Sequence, residues 1–519
     1  MNAVDPTLVT APAGTFRGLT DRGVISWRGI RFALAPVGER RWRDPIAVPD
    51  ADGETSAIAF GPACPQPTNP AIPLGEGAVE DEDCLSLNVW VPEGETAAPR
   101  PVMVWLHGGA YTFGSSRQPT YDATSLVSSG DVVVVTVNYR LGALGFVDLS
   151  HALAGSGFDG NLALKDVLLS LRWVQRNIAA FGGDPDRVTI FGESAGGGLV
   201  TTLLAVPSAA GLFHRAIAQS SPASSVYGTD RARRVAEQFL AELGVDPTDP
   251  DAADTLRSTP SDRVVTAGQA VYTAVPTTDP GTLAFAPVID GDLLPEAPVT
   301  VLREGRGIPV PLLIGTNKDE ASLFSFMKSP LIPITGERID QMFADMASEN
   351  PGVELPTRDQ VLTAYEHVRH RAIGLGVARD IGFRLPTLWI AEGHGTAAPV
   401  WLYRFDHASP FLRLIGLGAT HASELPYLWG NLVSGPKDLT FRLGGRRVAE
   451  LISARMQARW TAFAHGEDPS APDGVDWPRF SVTGENARAT LVIDRHDVVV
   501  DDLDGDLRRA WGDETLAFS

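Results

Sequence analysis

The chain has 519 residues and a formal net charge of −20, with 43 basic against 63 acidic side chains. So acidic a body repels phosphate backbones and anionic bilayers, so neither nucleic acid nor a membrane is expected as a partner. An apolar share of 44% beside a charged share of 20% is globular usage, which excludes disordered and fibrous chains.

Cys64 and Cys84 are the two cysteines, too few for a disulfide scaffold or a four-thiolate zinc site. The start, MNAVDPTLVTAPAGTF, has neither the basic head nor the apolar centre of an export signal. A cytoplasmic location is therefore expected, or a secreted one if a leader has been removed. No repeat or linker interrupts the chain, so residues 1–519 are expected to form one domain.

Strand-like and helix-like blocks alternate, which predicts an α/β protein with a large, mostly parallel sheet flanked by helices. Near-continuous apolar runs mark strands buried on both faces. Val102–Leu106 is the first, and it leads into His107-Gly108-Gly109-Ala110. Val132–Val137 follows; as the longest apolar run it is far too short for a membrane helix, which needs about 18 residues. Apolar residues at three- and four-residue spacing predict a helix over Leu162–Ala179. Val188–Phe191 is the next strand, followed at once by Gly192-Glu193-Ser194-Ala195-Gly196 and then by the apolar stretch Leu199–Ala205. Val310–Ile314 runs into a loop carrying Asp319 and Glu320, and Val400–Phe405 is followed by His407 and His421. A last helix is predicted over Arg446–Phe463, with Leu451, Ile452, Met456, Trp460 and Phe463 on one stripe. The stretches 222–300 and 325–395 read as helices and loops inserted around the sheet.

The G-x-S-x-G run, between a strand and a helix, is the arrangement of a nucleophile elbow, in which a sharp turn exposes the serine. A serine hydroxyl needs a base, and the base needs an acid to orient it. On a sheet of this kind the acid and then the histidine follow the serine, each in a loop after a later strand. Asp319 or Glu320 can serve as the acid, and His407 or His421 as the base. His367, His370, His394, His465 and His496 fall in helical or late segments and read as ordinary surface or core histidines. The tetrahedral anion of ester hydrolysis requires preorganised N–H donors, each worth about 3 kcal/mol of barrier. The side-chain-poor segment from His107 to Ala110 suits that need, as does the N–H of Ala195.

Eight segments together resemble the type-B carboxylesterases of the α/β-hydrolase superfamily, the group of the cholinesterases and bacterial para-nitrobenzyl esterases. They are RGIRFALAP (28–36), EDCLSLNVW (82–90), VWLHGGAYTFG (104–114), VNYRLGALGF (137–146), residues 160–197, GTNKDEASLF (315–324), THASELPYLWG (420–430) and RWTAFAHGEDP (459–469). The resemblance implies an α/β-hydrolase fold with helical insertions forming a substrate gorge. It implies Ser194 as the acylated nucleophile, Glu320 as the acid and His421 as the base, with oxyanion donors at Gly109, Ala110 and Ala195. The family often has a third glycine where this chain has Ala110.

The resemblance also implies a disulfide between Cys64 and Cys84, which is at odds with the missing export signal because cytosolic thiols stay reduced. Residues 65–83 contain no aromatic side chain, whereas cholinesterases place there a tryptophan that holds a cationic choline head. Choline specificity is therefore not expected. The apolar run Leu323, Phe324, Phe326 and Met327 either lines an acyl or alcohol pocket or packs between lid helices.

The function this implies is cleavage of a small-molecule carboxylic ester through an acyl-enzyme, with no metal or organic cofactor. A narrower hydrolase of a lactone, carbamate, polyester or secondary-metabolite ester would use the same residues. A non-catalytic binding protein on this fold is the more distant reading. Nothing in the sequence specifies the oligomeric state.

Overall fold

The structure is a computed structural model, and it describes residues 5–94, 96–329, 331, 335–349, 365, 373–433, 438–470 and 474–512. Its centre is an eleven-stranded sheet. The strands in chain order are β1 (Leu19–Asp21), β2 (Val24–Arg31), β3 (Ser86–Pro92), β4 (Arg100–Leu106), β5 (Val133–Val137) and β6 (Gly183–Glu193). They continue with β7 (Arg215–Gln219), β8 (Leu312–Asn317), β9 (Val400–Phe405), β10 (Thr490–Ile493) and β11 (Val498–Val500). Across the sheet the order is β11-β10-β9-β8-β7-β6-β4-β5-β3-β2-β1. From β10 to β5 every neighbour is parallel. The edges are antiparallel. A small three-stranded sheet of Leu8–Ala11, Gly14–Arg17 and Glu54–Ser56 lies apart.

The apolar runs are strands because both faces of the sheet are covered. Alternate residues of a strand point to opposite sides. Val102, Val104 and Leu106 of β4 join the core on one side, while Met103 and Trp105 join that on the other. The first side is covered by α1 (Leu162–Asn177) through Leu164, Val167, Leu168, Leu171 and Val174. The two shorter helices of the site are α2 (Ala195–Leu203) and α3 (Ala321–Phe326). The second side is covered by α4 (Arg446–His465) through Ile452, Met456, Trp460 and Phe463. Leu451 departs from the expected stripe: it is 58% exposed, because Ile452 and not its neighbour carries the inward face.

Among the boundaries that differ from those expected, two have a plain local reason. The strand expected from Val310 begins at Leu312, since Pro311 has no N–H to give the ladder. The helix expected after the serine turn, marked by the apolar stretch Leu199–Ala205, begins at Ala195 and takes in Gly196, Gly197 and Gly198. A Cβ on Gly196 would collide with the Leu106 carbonyl, so glycine there lets α2 press against the end of β4.

The disulfide implied by the resemblance is not formed. Cys64 and Cys84 are both buried free thiols. Their side chains hydrogen-bond to each other, and this contact, with burial, raises the Cys84 thiol well above its ordinary range. The Cys64 sulfur also accepts the Leu141 N–H at 3.3 Å. No described helix is long and apolar enough to cross a membrane.

Candidate active site

The sheet delivers three loops to one edge. β6 ends at Glu193, and Ser194 follows at φ 57° and ψ −126° before α2 begins. This is left-handed backbone for a non-glycine residue, a conformation kept only where its surroundings enforce it. The Ser194 N–H donates to the Gln219 carbonyl at 3.0 Å, and its own carbonyl accepts from Gly198 at 2.8 Å. Both ends of the turn are thereby fixed.

Glu320 follows β8, directly before α3, and is fully buried. Its Oε1 accepts from the Asn317 N–H and from the Ser220 hydroxyl, each at 2.6 Å. Its Oε2 meets His421 Nδ1 at 2.6 Å. A carboxylate at Nδ1 makes that nitrogen the donor and leaves Nε2 with the lone pair. Nε2 has no hydrogen-bond partner among the described residues and lies 3.2 Å from Glu193 Oε1. The imidazole is flanked by Phe324 and Phe383, with ring centroids 5.1 and 4.9 Å away.

The ambiguities left by spacing are resolved by position. Asp319 clamps the histidine loop instead of the ring: its N–H donates to the Ala419 carbonyl at 2.9 Å, and its Oδ2 accepts the Ala419 N–H at 3.0 Å. His407 binds Asp494 at 2.9 Å and stacks edge-on against Tyr427. His394 and His465 contact the Val310 and Gly130 carbonyls at 2.8 and 2.9 Å, and His496 is exposed. His367 and His370 lie outside the described residues.

Ser194 and His421 line one cleft of about 260 Å³, together with Gly109, Ala110, Leu323, Phe324 and Met327. No hydrogen bond joins the Ser194 hydroxyl to the imidazole. A second hollow of about 70 Å³ is lined by Ala110, Ser194, Ala195, Phe324, Ile381 and Phe383, among others. The two meet at Ala110, Ser194, Phe324 and Leu331. The N–H groups of Gly109, Ala110 and Ala195 take no acceptor within the protein among the described residues. Gly109 sits at φ 121°, and a Cβ there would run into the Phe113 carbonyl. Phe326 is a correction to the expected pocket. It is 65% exposed and lines neither hollow, since two residues along a helix from Phe324 point to nearly the opposite side.

Three participants carried no role in the sequence reading. Glu193 lies inside the G-x-S-x-G run and is buried; burial raises its pKa to about 8, with the imidazole pulling it down and the carboxylates of Glu424 and Glu320 pushing it up. Glu424 is buried with a raised pKa, chiefly from burial. It accepts from Asn317 Nδ2 at 2.5 Å and Gln219 Nε2 at 3.1 Å, and Gln219 in turn accepts from the Trp460 indole at 3.2 Å. Phe383, the third, belongs to a π-helical segment, Asp380–Arg384. Burial lowers the pKa of His421, but Glu193, Glu320 and the Nδ1 hydrogen bond outweigh it and raise it to about 9. The proton is thus held within a cluster of three carboxyls and one ring.

The profile described as the carboxylesterase family matches residues 5–507. The chain belongs to the carboxylesterase family. It is a carboxylic ester hydrolase with the α/β-hydrolase fold. The para-nitrobenzyl esterase of Bacillus subtilis is 34% identical to this carboxylesterase over 515 residues, 97% of this chain and 98% of that one. Phenmedipham hydrolase of Pseudarthrobacter oxydans is 34% identical over 483 residues, 90% and 92% of the two chains. The crystal structure of a carboxylesterase from Geobacillus stearothermophilus superposes with a TM-score of 0.82 at 35% identity, covering 97% of this chain and all of the other.

Proposed function

We propose that this carboxylesterase cleaves esters by two-step acyl transfer at Ser194. The supporting observation is the 2.6 Å bond from His421 Nδ1 to Glu320, which leaves Nε2 unpartnered in the cleft that Ser194 also lines. In the first step Nε2 takes the hydroxyl proton while Ser194 Oγ attacks the ester carbonyl. Glu320 keeps the ring in the required tautomer and stabilises the imidazolium. Charge developing on the carbonyl oxygen is met by the N–H groups of Gly109, Ala110 and Ala195. His421 returns the proton to the departing alcohol, and water then repeats the sequence on the acyl-enzyme.

The two hollows divide the substrate. The departing alcohol must lie within reach of His421, so it occupies the 260 Å³ cleft, which that residue lines. The acyl group is left to the 70 Å³ apolar hollow, which His421 does not line. This favours short acyl groups on bulky, aryl-bearing alcohols. A panel of para-nitrobenzyl and ethyl esters with acetyl, butyryl and dodecanoyl groups tests the division. The expected result is the highest kcat/KM for para-nitrobenzyl acetate or butyrate. A preference for ethyl dodecanoate would refute it.

Glu193 faces the same nitrogen that accepts the serine proton. Its negative charge favours imidazolium, which is inactive as a base. Glu193→Gln removes that charge and keeps the shape. The acid limb of kcat/KM is expected to move down by about one pH unit. A limb that stays in place or moves up would show that Glu193 does not act on His421.

A further inference from the structure

A cavity larger than either hollow at Ser194 lies away from the catalytic site. It has a volume of about 480 Å³ and lies between α1, β2 and the small three-stranded sheet. It shares no lining residue with either hollow at Ser194. We propose that this cavity is a binding site for a hydrophobic monocarboxylate, with the tail on its aromatic floor and the carboxylate at Arg172.

The floor is apolar and buried: Phe16, Ile30, Phe32 and Trp173 line it. Pockets of about 300–1,000 Å³ with such walls suit drug-sized or acyl-chain ligands. The charge of the lining is the second observation. In a chain with 63 acidic and 43 basic side chains, the lining contains Arg31, Arg172 and Arg176 and no aspartate or glutamate.

The three arginines are not equivalent. Arg176 grips Asp50 with two bonds of 2.7 and 2.6 Å, and Arg31 is paired with Asp83. Arg172 enters no ion pair and no side-chain hydrogen bond among the described residues. One uncommitted guanidinium matches one negative charge, and its planar fork matches the two oxygens of a carboxylate. Trp173, beside it in sequence and also in the lining, has an indole N–H with no acceptor among the described residues. The lining thus holds a free cation and an unsatisfied donor over an apolar floor. A neutral lipid leaves the guanidinium unmatched. A multiply charged phosphate has no use for the floor and meets the repulsion of the whole acidic chain. A carboxylate with an apolar body satisfies both parts, and it is the class of product that ester hydrolysis releases.

Isothermal titration calorimetry with decanoate and decanol, both below their aggregation limits, tests the site. The proteins are the full chain and its Arg172→Gln and Ala59→Trp variants. Ala59 lines the cavity and is exposed, so the larger side chain narrows the cavity without entering the core. Decanoate is expected to bind saturably, and decanol at least about tenfold more weakly. Arg172→Gln is expected to weaken decanoate about tenfold and leave decanol unchanged. Ala59→Trp is expected to weaken both. Ester hydrolysis by both variants is expected to keep its kcat, since neither residue lies at Ser194; this separates the cavity from the catalytic assignment. Equal affinity for decanol and decanoate, or decanoate binding unchanged in both variants, would overturn the proposal.

Discussion

Ser194→Ala is expected to lower kcat by about 10⁶-fold, with KM little changed. Removing the hydroxyl deletes the only group that forms the acyl bond in the proposed reaction. Substrate contacts with both hollows and with the N–H donors survive, so binding persists and a residual rate above that of water remains. Alanine accepts the same φ of 57° at the cost serine already meets, so the turn is expected to hold and the melting temperature to stay close to the parent's. Steady-state hydrolysis of para-nitrobenzyl acetate checks the rate, and thermal unfolding checks the fold. A variant keeping even a tenth of the parent kcat would exclude Ser194 as the nucleophile.

Glu320→Gln is expected to lower kcat by about 10⁴-fold. The Ser220 hydroxyl and the Asn317 N–H both donate to Oε1, so a glutamine keeps its carbonyl oxygen there. Its amide NH₂ then faces His421 Nδ1. That contact requires the lone pair at Nδ1 and moves the ring proton to Nε2, the nitrogen that must accept from serine. The geometry is preserved while the wrong tautomer is selected. The same change at Asp319, Asp319→Asn, is expected to leave kcat within about tenfold, because Asp319 clamps the loop backbone at Ala419 and does not touch the ring. Comparable losses at both positions would contradict the division of roles between the two neighbouring acids.

The sequence was most legible where one physical rule acts alone. Strands buried on both faces must be apolar throughout, and β4, β5, β6, β8 and β9 were visible for that reason. The serine elbow was visible because a tight strand-to-helix crossing needs small residues, and Gly196 is pinned by the Leu106 carbonyl. Spacing did not separate His407 from His421 or Asp319 from Glu320, since both members of each pair lie in the correct loops. Only three-dimensional direction distinguishes them. Phe326 was misplaced for the same reason: a short apolar run does not reveal which of its residues face inward. Phe383 was invisible because it reaches the imidazole from an insertion with no motif of its own. Glu424 was invisible because its partners, Asn317, Gln219 and, through the latter, Trp460, come from β8, β7 and α4. The open thiols of Cys64 and Cys84 show where family likeness exceeds what the structure holds.

The most direct measurement is stoichiometric labelling with a diethyl phosphoryl ester, followed by peptide mass mapping. Activation of Ser194 by His421, with Glu320 holding the imidazole, requires one adduct per chain, on the peptide containing Ser194. The adduct is expected to disappear in Ser194→Ala, and its formation to slow at least about 10³-fold in His421→Ala. An adduct on any other residue, or steady ester hydrolysis by a chain that takes up no label, would contradict it.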